Sequence, residues 1–177
     1  KLPIQTMIVT SISSDEYAPF YATYIQQVPE GNLFEVYQKS ANENEAFYGS
    51  VPAEKQAYAY APGKWTVAEV LQHVIDVERI FSGRLLRVGR GDKTPLPGFD
   101  QNDFAAAASV EVRPYTDLVA EYSLLKQANL AMAKGLPASA WTQMGVASGF
   151  DVSARGLFAM LIGHEQHHLK VTKERYF

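Results

Sequence analysis

The sequence predicts an all-α protein, a four-helix bundle with one additional short helix at its N-terminal end, and three observations carry that expectation. Five stretches repeat apolar residues at spacings of three and four. None shows the sustained alternation of a half-buried strand. Four of the five are long enough to present a continuous seam to one another, which is the pattern of a bundle whose sites are built from inward side chains on facing helices. The 177 residues are 47% hydrophobic and 20% charged, ordinary for one globular domain, so a single domain over residues 1–177 is expected, with no internal repeat, low-complexity tract or linker.

The first stretch runs from about Asp15 to Gln27 behind Ser13 and Ser14, with Tyr17, Phe20, Tyr21, Tyr24 and Val28 on one side, and Pro29 and Gly31 close it. It is expected to pack across the bundle. The second, about Asn32 to Tyr48, lines up Leu33 or Phe34 with Tyr37, Ala41, Asn44 and Tyr48. The third has the clearest start: Thr66 followed by Glu69 is a capping box, and Val67, Val70, Val74, Val77, Phe81, Leu85 and Val88 then form an apolar series reaching about Arg90. Gly89, Gly91 and Pro95 end it. Asp92 to Phe104 reads as the longest connection, a crossover or an active-site loop. The fourth helix begins near Pro114 to Thr116, carries Leu118, Tyr122, Leu125 and Met132, and stops at Gly135 and Pro137. The fifth runs from Ser153 to about Arg175 with Leu157, Leu161, His164, His168 and Val171 on its seam.

Composition narrows the chemistry. A chain of this length hides roughly 70% of the surface its unfolded form exposes, so it builds a core without a metal staple and any metal site points to function. No cysteine is present, which removes thiolate zinc sites, iron–sulfur clusters and thiol nucleophiles and leaves histidine and carboxylate to bind metal. Sixteen Lys and Arg against nineteen Asp and Glu give a net charge of −3, so neither a phosphate backbone nor an anionic membrane is an expected partner. Arg84, Arg87 and Arg90 stripe one side of the third helix, but a solvated or carboxylate-paired face accounts for them. No segment reaches the roughly 18 apolar residues of a span, and Lys1 to Thr10 carry no leader pattern; a cytoplasmic protein is expected.

Three of the four histidines crowd into His164-Glu165-Gln166-His167-His168. Residues four apart on a helix share a face, so His164 and His168 can aim at one ion while His167 points elsewhere, as a surface residue or an orienting donor. Both sit where the seam calls for aliphatics, and buried imidazoles need partners. His73 borders the inward stripe of the third helix, three after Val70 and four before Val77. Three histidine nitrogens around Zn²⁺ or Ni²⁺ leave positions open for water or substrate. A hydrogen-bonded core histidine is the competing reading for each residue taken alone.

Other readings of the same residues carry less. HEQHH matches the H-E-x-x-H of zinc proteases, but the extended pattern wants Gly and His where this chain has Val171 and Glu174. Glu165 with His168 is one E-x-x-H unit of di-metal bundles, and the second unit is missing. Glu165 is expected as a solvated surface residue, or as an acid or base beside the ion. Glu69 is claimed by its cap as much as by a metal. Asp76, Glu78 and Arg79 are open between ring orientation, substrate contact and surface charge. Asp100, Gln101 and Asp103 either project toward substrate or form a turn, with the turn favoured.

KWTVAEVLQHVIDVER, PLPGFDQNDF and GHEQHHLKVTKERY together resemble the DinB-like superfamily of metalloenzymes, named for damage-inducible bacterial proteins, over about Tyr17 to Tyr176. The resemblance implies a DinB/YfiT-like four-helix bundle of unusual handedness, commonly dimeric. It further implies a divalent metal held by one His of an early long helix and an H-x-x-x-H pair of the last, positions that match His73, His164 and His168. Members with assigned activities use low-molecular-weight thiols in transfer or isomerisation, and others are labelled hydrolases. The expected function is therefore a metal-dependent S-transferase or hydrolase acting on a small molecule. The alternative is a non-catalytic stress-response protein that binds metal or a small ligand.

Overall fold

The computed structural model describes residues 12–177, so the reading of Lys1 to Thr10 falls outside the described residues. Seven helices and one hairpin follow in order: α1 (Ala22–Ile25), α2 (Leu33–Gly49), α3 (Ala53–Gln56), α4 (Val67–Gly89), α5 (Gln101–Ala107), α6 (Tyr115–Lys134), β1 (Met144–Ala147), β2 (Phe150–Ser153) and α7 (Ala154–Arg175). The four long ones, α2, α4, α6 and α7, form the bundle, with α4 packed on both α6 and α7 and α2 packed on the same two.

Three of the four long helices start where a side chain satisfies a free amide, whereas α6 starts behind Pro114 without a side-chain cap. Asn32 accepts from Phe34 N, and Ser153 accepts from Gly156 N. At α4 the capping box is complete: the Thr66 hydroxyl accepts from Glu69 N at 3.2 Å and the Glu69 carboxylate accepts from Thr66 N at 2.6 Å. Glu69 is thereby spent on the cap.

Three expectations need correction. The stretch from Asp15 to Gln27 is not one helix but two 3-10 turns, Ser14–Glu16 and Pro19–Tyr21, followed by the single turn α1. Pro19 forbids a helical residue before it, Ala18 is extended, and Phe20 is left exposed. The connection from Asp92 to Phe104 contains the start of a helix, because the Asp100 carboxylate accepts from Asn102 N and Asp103 N and caps α5. A hairpin, absent from the periodicity, joins α6 to α7: Met144 pairs with Ser153 and Ala147 with Phe150, across a Ser148-Gly149 turn whose residues both have positive φ, +53° and +83°. That conformation is what a two-residue hairpin turn requires.

The apolar core comes in two clusters. One contains Tyr37, Phe81, Leu85, Leu130, Phe158 and Leu161; the other contains Tyr48, Val70, Leu71, Val74, Leu118 and Tyr122. Between them, on the same seams, lie buried polar residues: Ser40 and Asn44 on α2, Glu78 on α4, Lys126 and Asn129 on α6, and His164 and Glu165 on α7. A polar belt thus crosses the middle of the bundle.

The N-terminal segment reaches that belt by a close backbone approach. A β-carbon at Gly163 would fall inside van der Waals contact of the Tyr24 carbonyl, a backbone group that has no side-chain freedom to yield. Gly163→Ala is expected to lower stability by about 3 kcal/mol or more, the upper range for overpacking, because α1 must lift off α7. A shift of less than about 1 kcal/mol in urea unfolding would contradict the contact.

Candidate metal centre

α4 supplies His73 and α7 supplies His164 and His168. One ring nitrogen of each lies within 4.8 Å of the other two, and His73 Nε2 stands 3.0 Å from His164 Nε2. The geometry follows from the helices: four residues on α7 return both imidazoles to one face, and α4 packs along that face. Trp65, just before the α4 cap, lies on the His73 ring at 4.8 Å, and Tyr24 sets its edge against His164 at 5.4 Å. His73 and His164 are buried and His168 is half-buried.

Burial also sets the charge. Desolvation, reinforced by the neighbouring imidazoles, pushes His73 down to about 4 and holds His164 and His168 well below the usual histidine range. All three are therefore neutral near pH 7, each with a lone pair available to a cation. Folded-state values below the unfolded one stabilise the fold fully above about pH 6.5, and that contribution is lost as pH falls toward 4, because the unfolded chain binds the protons. Metal-free protein is expected to lose stability steadily over pH 6.5 to 4, and His73→Phe to show a shallower slope in urea titrations across that range. An equal slope in both would contradict the burial.

The other candidate residues distribute themselves differently. His167 lies outside the trio, its Nδ1 3.3 Å from Gln27 Nε2 and its ring against Tyr24. Glu165, expected on a solvated surface or as a base, is instead only 1% exposed. Its carboxylate accepts from Tyr122 Oη at 2.7 Å and pairs with Lys126 Nζ at 2.9 Å. The reason is helical geometry: 100° from His164, it faces α6 and joins the belt. Burial pushes its pKa up.

Glu78 is buried too, accepting from Tyr37 Oη, Lys126 Nζ and Asn129 Nδ2. Asp76 is half-buried, takes a 2.8 Å bond from Gln72 and is raised by burial. Arg79 is an exposed partner of Glu121. Asp100 is a cap, and Gln101 and Asp103 are exposed.

Sequence reasoning missed the two aromatic walls, Trp65 and Tyr24, and the members of the belt on α2 and α6. The signal for the belt was present, since Glu78 and Lys126 interrupt their seams four residues after Val74 and Tyr122.

Two concavities open on the bundle. One of about 1260 Å³ lies between α2 and the turn after α6, lined by residues such as Phe34, Gln38, Leu136 and Trp141, and none of the three histidines lines it. The smaller, about 510 Å³, is lined by Gln72 and Asp76, which bracket His73 in sequence, together with Asp103, Phe104 and Arg113. None of the three histidines lines this one either, but it shares α4 with His73.

Comparison with known proteins agrees with this architecture. The family model of the DinB superfamily matches residues 37–171. Among solved structures, YfiT from Bacillus subtilis, described as a probable metal-dependent hydrolase with an unusual four-helix bundle topology, superposes with a TM-score of 0.69 at 13% identity, covering 80% of this chain and 85% of that one. A mycothiol-dependent maleylpyruvate isomerase superposes with a TM-score of 0.63 at 12% identity, covering 81% of this chain and 59% of that one. No curated protein sequence matches the chain. Among the described residues, no helix is long and apolar enough to cross a membrane.

Proposed function

We propose, for a chain that belongs to the DinB superfamily, that it is a metal-dependent enzyme acting on a small molecule, with His73, His164 and His168 as the ligands of one divalent transition ion, Zn or Ni first. The observation that carries this reading is the convergence of three uncharged imidazole nitrogens within 4.8 Å in a largely buried setting. The donor set fits: neutral nitrogens suit borderline ions, and three ligands leave room for a fourth from solvent or substrate.

Bound there, such an ion supplies a Lewis acid that lowers the pKa of water or of a thiol. The chain's own residues do the rest. Trp65 and Tyr24 close the histidines off from water on two sides. Asp76, one turn beyond His73 on α4 and on the wall of the smaller cavity, is the carboxyl we assign to take up a proton from a bound ligand.

With Glu165 committed to Tyr122 and Lys126, the carboxylate next to His164 in the chain is not free to activate a water, and Asp76 on α4 is the one carboxyl left to move a proton. That favours thiol transfer, which needs only that the thiol be ionised. The chain has no cysteine, so the thiol comes from a cosubstrate. Protein loaded with Zn²⁺ or Ni²⁺ is expected to accelerate loss of a low-molecular-weight thiol in the presence of a carbon electrophile. Chelation or His164→Ala is expected to remove the acceleration. Metal-dependent ester hydrolysis without thiol consumption would turn the reading to the hydrolase, and bound metal with neither activity would turn it to a binding protein.

A further inference from the structure

Arg84 departs from the solvated stripe expected of it. Arg87 pairs with Asp92 at 2.6 Å and Arg90 is exposed, but Arg84 is only 4% exposed and has no carboxylate within ion-pair distance among the described residues. Residues 1–11 contain no Asp or Glu to supply one. Its Nη2 donates to Pro97 O at 2.7 Å and to Ser148 Oγ at 3.2 Å, while its Nη1 is buried without any partner. The guanidinium carbon lies 4.8 Å from the Phe81 ring and 5.9 Å from that of Phe99. A buried cation is costly unless paired, and aromatic faces offset only part of that cost.

The cover over this cation is thin. Pro97 and Gly98 are exposed and Phe99 is half-buried, and among the described residues the backbone bonds holding the loop to the hairpin are Leu96 N to Val146 O at 2.8 Å and Ser148 N to Leu96 O at 3.0 Å. Arg84 also follows His73 by eleven positions on α4. Three turns of helix return it to the same face, about 16 Å along the axis, and helical side chains lean back toward the N-terminus, that is, toward the histidines.

We propose that Arg84 is a carboxylate-binding residue: a small-molecule acid places one carboxylate oxygen on the vacant Nη1, between Phe81 and Phe99 and under the loop of Pro97 and Gly98. A carboxylate fits because the remaining donors lie in the guanidinium plane and the aromatic walls are flat. Identifying that acid with the substrate of the metal centre rests on the reading above, whereas the carboxylate site needs no metal.

The test uses metal-free protein titrated with succinate, with succinamide and sodium chloride at matched ionic strength as controls. Succinate is expected to raise the unfolding temperature with concentration and to move the backbone amide resonances of Gly98, Ser148 and Gly149; succinamide is expected to do neither. Arg84→Gln is expected to weaken binding by about tenfold or more, the effect of losing a charged hydrogen-bond donor, with Arg84→Lys between. No succinate response in the parent protein, a response shared by succinamide or chloride, or equal binding by Arg84→Gln would overturn the proposal. The resonance shifts in the parent decide the matter even where the Gln variant fails to fold. Because no metal is present, failure of the metal site leaves this result unchanged.

Discussion

Lys126→Met is expected to lower the free energy of unfolding by about 3–5 kcal/mol at pH 7 to 8, the cost of leaving buried charges without their partner. Lys126 is 3% exposed and its Nζ lies 3.1 Å from Glu78 and 2.9 Å from Glu165, over the Tyr37 ring at 3.7 Å. It is the single cation within ion-pair distance of either carboxylate among the described residues. Without it, the Glu165 carboxyl, already pushed up by burial, must take up a proton to remain buried. A carboxyl whose folded pKa is raised stabilises the fold below its unfolded value and loses that contribution as pH rises through the folded one. The penalty is therefore expected to be smaller at pH 5 than at pH 8. Urea unfolding of parent and variant at both pH values checks this. A loss under about 1 kcal/mol, or one independent of pH, would show that the belt is not held by its charges.

The second large effect concerns the histidines. Replacing His73, His164 or His168 singly by Ala is expected to weaken Zn²⁺ binding by more than about 100-fold, beyond the 10- to 100-fold that follows loss of an orienting partner alone. His167→Ala, whose ring lies outside the trio, is expected to cost less than about tenfold. Competition against a chelator of known affinity separates these ranges. Similar losses for all four would mean that the histidines act through general packing. Only a large loss at the three, with His167 spared, matches the convergence of their nitrogens.

What could be read from the chain differs by element for physical reasons. α4 was legible from end to end because its cap is made of adjacent residues, Thr66 and Glu69, and its seam is aliphatic. The trio was legible because histidine on an apolar seam is out of place at His164 and His73 alike. The start of the chain misled because Tyr17, Phe20 and Tyr24 carry helical spacing, yet Pro19 imposes an extended residue before it, and local backbone restriction outweighs side-chain periodicity. The hairpin escaped because four-residue strands are too short for alternation to register, although the Ser148-Gly149 pair was a turn signal.

Glu165 was misjudged for a reason that sequence cannot supply: its face is decided by which helix packs there, and α6 brings Tyr122 and Lys126 to meet it. The belt and the histidines are thus one construction. α7 presents His164 to α4 and the next residue, Glu165, to α6, so the histidine trio and the buried ion pairs share a level of the bundle.

The proposed function requires that His73, His164 and His168 hold one ion. Its most direct test is elemental analysis of gently purified protein and of protein dialysed after incubation with Zn²⁺ or Ni²⁺, beside the variant with all three replaced by Ala. Near one equivalent of a transition metal in the parent and little in the variant is the expected result. Metal-free parent protein after both treatments, or equal metal in the variant, would contradict it.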